Sequence, residues 1–242
     1  MVAEEEITTV QEYLRIIKAF KRKNVESGNN EDFLFRGQVT DLPLIPKLVR
    51  LKPKGDLIVI EKVLLTEFKR SNPLLIDAHK PLDDWDYLTL GQHFGLPTRF
   101  LDWSNNALTA LWFATETNPF SGETSPYRIV WVLMAEAEDF KLDVEETHPF
   151  QIKETKLFRP RIIKQRINNQ SGVFSVLSTN EINDKCRLDE TDSFKEKLLK
   201  IKIPGNFASE IREDLNTLGV NAFTIFPELE GLCSHLQWRY FY

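Results

Sequence analysis

The sequence predicts an α+β fold in one domain, on three observations. Helical and extended patterns follow one another in mixed order along the chain. Tyr127–Met134 is an apolar run long enough to form a central strand. Residues 107–114 place Ala107, Ala110 and Ala114 beside Leu108 and Leu111, the pattern of a buried helix lying close on a sheet. No internal repeat and no Gly/Ser-rich linker divides the 242 residues, so a single unit is expected. Its sheet is expected to be mixed, mostly antiparallel and flanked by helices.

Taken in order, Thr9 and Glu12 form a capping-box pattern, with Val10, Leu14, Ile17 and Phe20 at helical spacing. Ser27-Gly28-Asn29-Asn30 is the turn that ends this helical N-terminal extension. Phe33–Arg36 reads as a short strand stopped by Gly37. Leu57, Ile60, Leu64 and Phe68 mark a helix over 57–70, and Pro73 and Pro81 punctuate the next stretch. Asp84 is placed to cap a helix through Trp85, Leu88 and Phe94. Arg99–Trp103, after Gly95 and Pro97, is a strand or extended turn, and Asn105 or Asn106 caps the alanine-rich helix. Residues 135–160 are polar and irregular, the pattern of a flexible insertion. Val173–Leu177 and Lys200–Ile203 read as strands. Ser209 or Glu210 opens a helix through Ile211 and Leu215, with Gly219 just beyond its end. Ala222–Phe226 reads as a strand stopped by Pro227, and Leu232, Leu236 and Phe241 as a closing helix.

Composition excludes several classes. With 17 Phe and 5 Trp in a chain that is 42% hydrophobic, a packed core is expected and disorder is not. A net charge of -5 argues against a general nucleic-acid coat. Cys186 and Cys233 stand far apart with no CxxC or Cys/His cluster, which removes a zinc-ribbon framework and fits a reducing compartment. The N-terminus is acidic where a signal peptide is basic and apolar, and no stretch of 18 apolar residues occurs. A cytoplasmic protein with no membrane partner is the expectation. P-loop, GxGxxG, HExxH and kinase signatures are all missing.

Three places carry chemistry-bearing residues. Arg36 ends an apolar strand beside Gly37, where a planar guanidinium suits a phosphate or carboxylate and glycine allows close approach; the alternative is a surface arginine at a strand end. Gly91–Ser104 supplies Gln92, His93, Thr98, Arg99, Asp102 and Ser104 in an otherwise apolar region. Either these face a ligand, or they tie loop to helix with Arg99 and Asp102 as an ion pair. Glu228 and Glu230 follow Phe226-Pro227 and share one side if the path is extended, or else form the first turn of the last helix. The basic stretch 153–166 is a solvated face or a local phosphate patch.

Phe35-Arg36-Gly37 followed by Gln92-His93-Phe94-Gly95-Leu96-Pro97-Thr98-Arg99-Phe100-Leu101-Asp102-Trp103-Ser104 resembles the FRG domain, a bacterial family named for the first tripeptide. Ala110–Ala114, Ile129–Val132, the stretch with Arg161, Gln165 or Gln170 and Gly172-Val173-Phe174, and Phe226–Gly231 extend the likeness over roughly 33–232. Phe94 and Phe100 stand where Tyr and Leu are more usual, and the glutamates replace aspartates.

A looser likeness, in order and residue type, is to the ADP-ribosyltransferase layout, and it implies NAD+ as substrate with no metal. On that reading Arg36 holds the pyrophosphate or ribose, and Thr98 or Ser104 orders the ribose side. Phe94 or Trp103 stacks on nicotinamide, and Glu230 or Glu228 stabilises the oxocarbenium-like cation. Gly37, Gln92, His93, Arg99 and Asp102 complete the expected ligand site. The acceptor macromolecule is left open, and toxicity or phage defence is the biological setting the family implies. Two other readings stay open. One is a non-catalytic module binding a nucleotide or phosphate ligand. The other is a nuclease holding Mg²⁺ on Asp102 and the two glutamates, with His93 as base.

Overall fold

The computed structural model describes residues 2–25, 32–71, 81–116, 125–161 and 172–241. The turn expected at 27–30, Pro73, Gln165 and Gln170 lie outside these residues. The architecture is α+β. Strands β1 (Ala3–Glu6), β2 (Asp32–Gln38), β3 (Phe100–Ser104), β4 (Tyr127–Ala135), β5 (Lys156–Phe158), β6 (Gly172–Val176) and β7 (Leu198–Pro204) form one sheet in the order β1-β7-β4-β2-β3-β6-β5. Among the described residues only the β1–β7 pairing is parallel; all the others are antiparallel. As expected, the apolar run of β4 is central, paired with β2 on one side and β7 on the other.

The helices are α1 (Val10–Val25), α2 (Lys47–Arg50), α3 (Leu57–Ser71), α4 (Asp84–His93), α5 (Ala107–Ala114), α6 (Thr179–Asn183), α7 (Ala208–Thr217), α8 (Ala222–Ile225) and α9 (Leu229–Phe241). Two groups of them cover one face of the sheet. Over β7, β4 and β2, Val10, Tyr13 and Ile17 of α1, Leu111 of α5 and Ile211 of α7 pack on Phe35, Val130 and Val132. Over β3, β6 and β5, Leu65 of α3 and Trp85 and Leu88 of α4 pack on Phe100, Phe158, Phe174 and Val176. The opposite face buries Leu34, Leu101, Trp103 and Trp131 beneath Leu44, Leu188 and Phe194.

Local signals explain the boundaries. Thr9 Oγ1 accepts from Glu12 N at 3.2 Å, and the Glu12 carboxylate reaches back to Thr8 N at 2.8 Å. The α4 cap is Asp83, one residue before the expected Asp84, because Asp83 and Asp86 exchange side-chain and backbone bonds in a complete capping box. Asn106 caps α5, accepting from Leu108 N and Thr109 N. Gly219 takes φ +81 past α7, where a left-handed residue ends a helix without a steric penalty.

Three expectations are corrected. β2 does not stop at Gly37 but runs through it to Gln38. A Cβ at position 37 would lie 2.6 Å from Ala114 N and 2.9 Å from Phe113 Cβ, so glycine is what lets α5 sit against the strand. Ala222–Phe226 is not a strand: Asn221 accepts from Phe223 N and Thr224 N and starts the short helix α8. Residues 135–160 are not wholly irregular, since 156–158 form the edge strand β5 and Ile152, Leu157 and Phe158 are buried.

Candidate functional site

The site is set by a split in the sheet. β2 and β3 share a single bridge, Phe35 to Ser104. Beyond it β2 continues along β4, whereas β3 pairs along its whole length with β6. The inner edge of β3 is thereby left to side chains, and the two helix groups part over the same gap. A cavity of about 410 Å³ lies there. Its walls come from Arg36 and Gly37 of β2, Asp102 and Ser104 of β3, Gln92 and His93 of α4, and Phe113 of α5. Phe174 of β6 and Phe226 beyond α8 complete an aromatic side, with the Phe113 and Phe226 rings edge to face at 6.0 Å.

A hydrogen-bonded chain fixes the polar side. Arg36 Nη1 donates to the Asp102 backbone oxygen at 2.9 Å and to its carboxylate Oδ2 at 3.3 Å, bridging the split. Gln92 Nε2 donates to the same Oδ2 at 2.9 Å. The Gln92 amide is oriented in turn by the Thr98 hydroxyl, which donates to its Oε1 at 2.6 Å and accepts from Phe100 N. Arg36 Nε is buried and has no hydrogen-bond partner among the described residues. A second arginine approaches. Arg50, at the end of α2, is drawn toward the site as Lys47 of the same helix donates to Gly95 O at 2.8 Å and Leu48 N to Thr98 O. Partial burial lowers the Arg50 pKa, repulsion from Arg36 lowers it further, and Asp102 opposes both. Two guanidinium groups thus share the field of one carboxylate.

The expected residues divide. Arg36, Gly37, Gln92, His93, Asp102, Trp103 and Ser104 border the cavity. Trp103 does so without offering its ring: the indole packs on the other face with Leu34 and Leu101 and donates to Ser175 Oγ at 3.1 Å. Ser104 Oγ accepts from Asn106 N, shaping the turn into α5. Phe94 is 58% exposed at the C-terminus of α4 and does not line the cavity. Thr98 is buried and acts through Gln92.

Arg99 is corrected outright. It is fully buried away from the cavity and ion-paired with Glu61 of α3 at 2.5 Å, while Asp102 pairs with Arg36, so the Arg99–Asp102 pair does not form. Glu228 and Glu230 are exposed at the start of α9, where their charge favours the positive end of the helix dipole, and among the described residues neither lines the cavity. In the basic stretch, Lys156, Arg159 and Arg161 are paired with Glu154, Asp32 and Asp83/Asp86 respectively, so these three charges are matched locally. Among the described residues, no three His, Cys, Asp or Glu side chains cluster as metal ligands, and no helix is long and apolar enough to cross a membrane.

Some lining residues escaped the sequence reading. Phe113 and Phe174 belong to the aromatic wall, and their only signal was membership of later segments of the family-like pattern, whereas Phe226 of the same wall stands in the Phe226–Glu230 segment that the sequence singles out. Thr89 of the lining gave none, and neither did Arg50, which does not line the cavity but acts on Arg36 and Asp102 through its charge.

The fold and the cavity define an α+β protein with a pocket of small-molecule size built on a divided antiparallel sheet. Residues 31–122 match the family model of the FRG domain, and the chain therefore contains an FRG domain. The match takes in Arg36, α4, the Gln92–Ser104 run and α5, and it ends before β6 and Phe226–Glu230. No curated protein and no solved structure matches the chain.

Proposed function

We propose that the cavity binds a small nucleotide-like ligand, with Arg36 holding an anionic group and the phenylalanine side receiving a planar one. One observation carries this: Arg36 Nε is a buried charged donor with no partner among the described residues, on the wall of a cavity large enough for such a ligand. A buried donor left unmatched costs roughly 1–3 kcal/mol, a cost that an acceptor on the ligand removes. Arg50 adds a second positive charge beside it. Phe113 and Phe226 present ring surface that suits a base.

A catalytic version of this reading takes NAD+ as the ligand and breaks its nicotinamide–ribose bond. It needs a carboxylate beside the developing cation, and among the described residues lining the cavity Asp102 is the one that has it. The role moves to Asp102 from Glu228 or Glu230. Nuclease chemistry is less favoured, because Asp102 and the two glutamates are not gathered as a ligand set.

Calorimetric titration with ADP, ADP-ribose and NAD+ tests the binding claim. At least one should bind the wild type, and Arg36→Ala should weaken it at least tenfold, about 1.4 kcal/mol. No binding by any of the three, or equal binding by the variant, overturns the reading. Nicotinamide release, assayed beside Asp102→Asn and Glu230→Gln, decides the catalytic version. Release lost only in Glu230→Gln would return the chemistry to the glutamate.

A further inference from the structure

Threonine inside a helix ordinarily satisfies its hydroxyl on the carbonyl one turn back. Thr66, Thr115 and Thr217 of this protein do so, donating to Lys62 O at 2.8 Å, Leu111 O at 3.1 Å and Glu213 O at 3.1 Å. Thr89 does not. It is 1% exposed, and among the described residues its Oγ1 has no hydrogen-bond partner.

Its surroundings say where the partner comes from. Thr89 lines the main cavity and also a second cavity of about 100 Å³ bordered by Asp86, Phe158 and Arg161. Asp86, Thr89 and His93 lie on one face of α4, at i, i+3 and i+7, so this face runs from one cavity to the other with Thr89 at the boundary. The neighbouring polar groups are already committed. Asp86 bonds Arg161 and Asp83 N, and the Gln92 amide is held between Thr98 and Asp102.

We propose that Thr89 is a specificity-determining contact of the ligand site, its hydroxyl reserved for a polar atom of the bound molecule. This rests on the reading of the cavity as a nucleotide-type site and deepens it. A hydroxyl both donates and accepts, so a sugar hydroxyl or the polar edge of a base matches it fully, whereas a phosphate uses only its donor and is the group assigned to Arg36. Ligands bare at that position are discriminated against, because they leave the hydroxyl buried and unmatched.

The test compares Thr89→Val, which keeps the shape and removes the hydroxyl, with Thr89→Ser, which keeps the hydroxyl. In the absence of ligand, Thr89→Val should melt at the wild-type temperature or above it, since an unmatched buried polar group is removed. In calorimetry with ADP-ribose as the probe, it should bind about tenfold more weakly, while Thr89→Ser stays within about twofold of wild type. Two results overturn the assignment. One is ADP-ribose affinity unchanged in Thr89→Val. The other is a melting temperature several degrees lower in Thr89→Val and restored in Thr89→Ser, which would give the hydroxyl to the fold or to an ordered water. Should the wild type bind none of ADP-ribose, ADP and NAD+, the nucleotide reading of the cavity fails by itself, and the two melting temperatures still decide whether the hydroxyl serves the fold. Where only ADP or NAD+ binds, that ligand replaces ADP-ribose as the probe with the same expected ratios.

Discussion

Arg99 and Asp102 stand three residues apart and work on different problems. Asp102 is half exposed and faces the cavity, where Arg36 and Gln92 hold it. Arg99 is locked in the interior: its Nε and Nη2 meet both Glu61 oxygens, and Nη1 reaches Pro149 O, Leu177 O and the Thr179 hydroxyl. Removing one member of such a pair strands a buried charge. Glu61→Leu alone is expected to cost about 3–5 kcal/mol, and Glu61→Leu with Arg99→Met distinctly less than the sum of the two single changes. Urea unfolding of the four proteins of the cycle measures this; additive losses would mean that the pair contributes nothing as a pair. The sequence marked 92–104 as polar where a core is apolar, and four of its side chains, Gln92, His93, Asp102 and Ser104, do reach the cavity. It could not say which charge pairs with which. Glu61 lies 38 residues before Arg99, on helix α3, and three-dimensional proximity leaves no mark on spacing.

At the scale of elements, the contact between β2 and α5 decides whether the cavity exists. Gly37 supplies the approach, with the Ala110 carbonyl oxygen and Ala114 N occupying the space where a side chain would begin. These neighbours are backbone and cannot rotate aside, so Gly37→Ala should force the strand and helix apart. A loss of about 3 kcal/mol or more is expected, with weaker binding of any cavity ligand because Arg36 moves with β2. Gly55→Ala serves as control: the nearest atom to its Cβ is the end of Ile60, at 3.9 Å, and stability should stay within about 0.5 kcal/mol. Denaturant midpoints of both variants check the contrast. The alanines of α5 made this contact legible, since small residues on a buried helix have few other uses. The helix α8 was not legible in the same way. Five residues from Ala222 to Phe226 are too few for a period of 3.6 to separate from a period of 2, and the capping bonds of Asn221 settle the matter.

For the whole molecule, the sheet order depends on partners far apart in sequence, and the first strand shows why it escaped notice. Ala3–Glu6 has no apolar alternation, because it is an exposed edge whose Glu4 pairs with Lys200 and Lys202 of β7. The chain just beyond this strand is fully integrated: Ile7, Val10, Tyr13 and Ile17 enter the largest core cluster, and the Tyr13 hydroxyl donates to Ala107 O at 2.8 Å, joining α1 to the start of α5. That bond yields a pH signature. Complete burial holds the Tyr13 pKa well above its ordinary value of 10.0. In the unfolded chain the phenol ionises near pH 10, so above that pH the unfolded state sheds a proton the folded state keeps. Stability from this group is therefore whole below pH 10 and declines as pH rises, by up to about 1.4 kcal/mol per pH unit. Tyr13→Phe should lose about 1 kcal/mol at pH 8, from the missing hydrogen bond, and should be spared the alkaline decline. Other lysines and tyrosines titrate alike in both proteins and cancel in the difference. Urea unfolding at pH 8, 10 and 11 should therefore show the gap between wild type and Tyr13→Phe closing near pH 11. A gap that stays constant would mean that the Tyr13 hydroxyl reaches solvent in the folded protein and that α1 is not anchored through it.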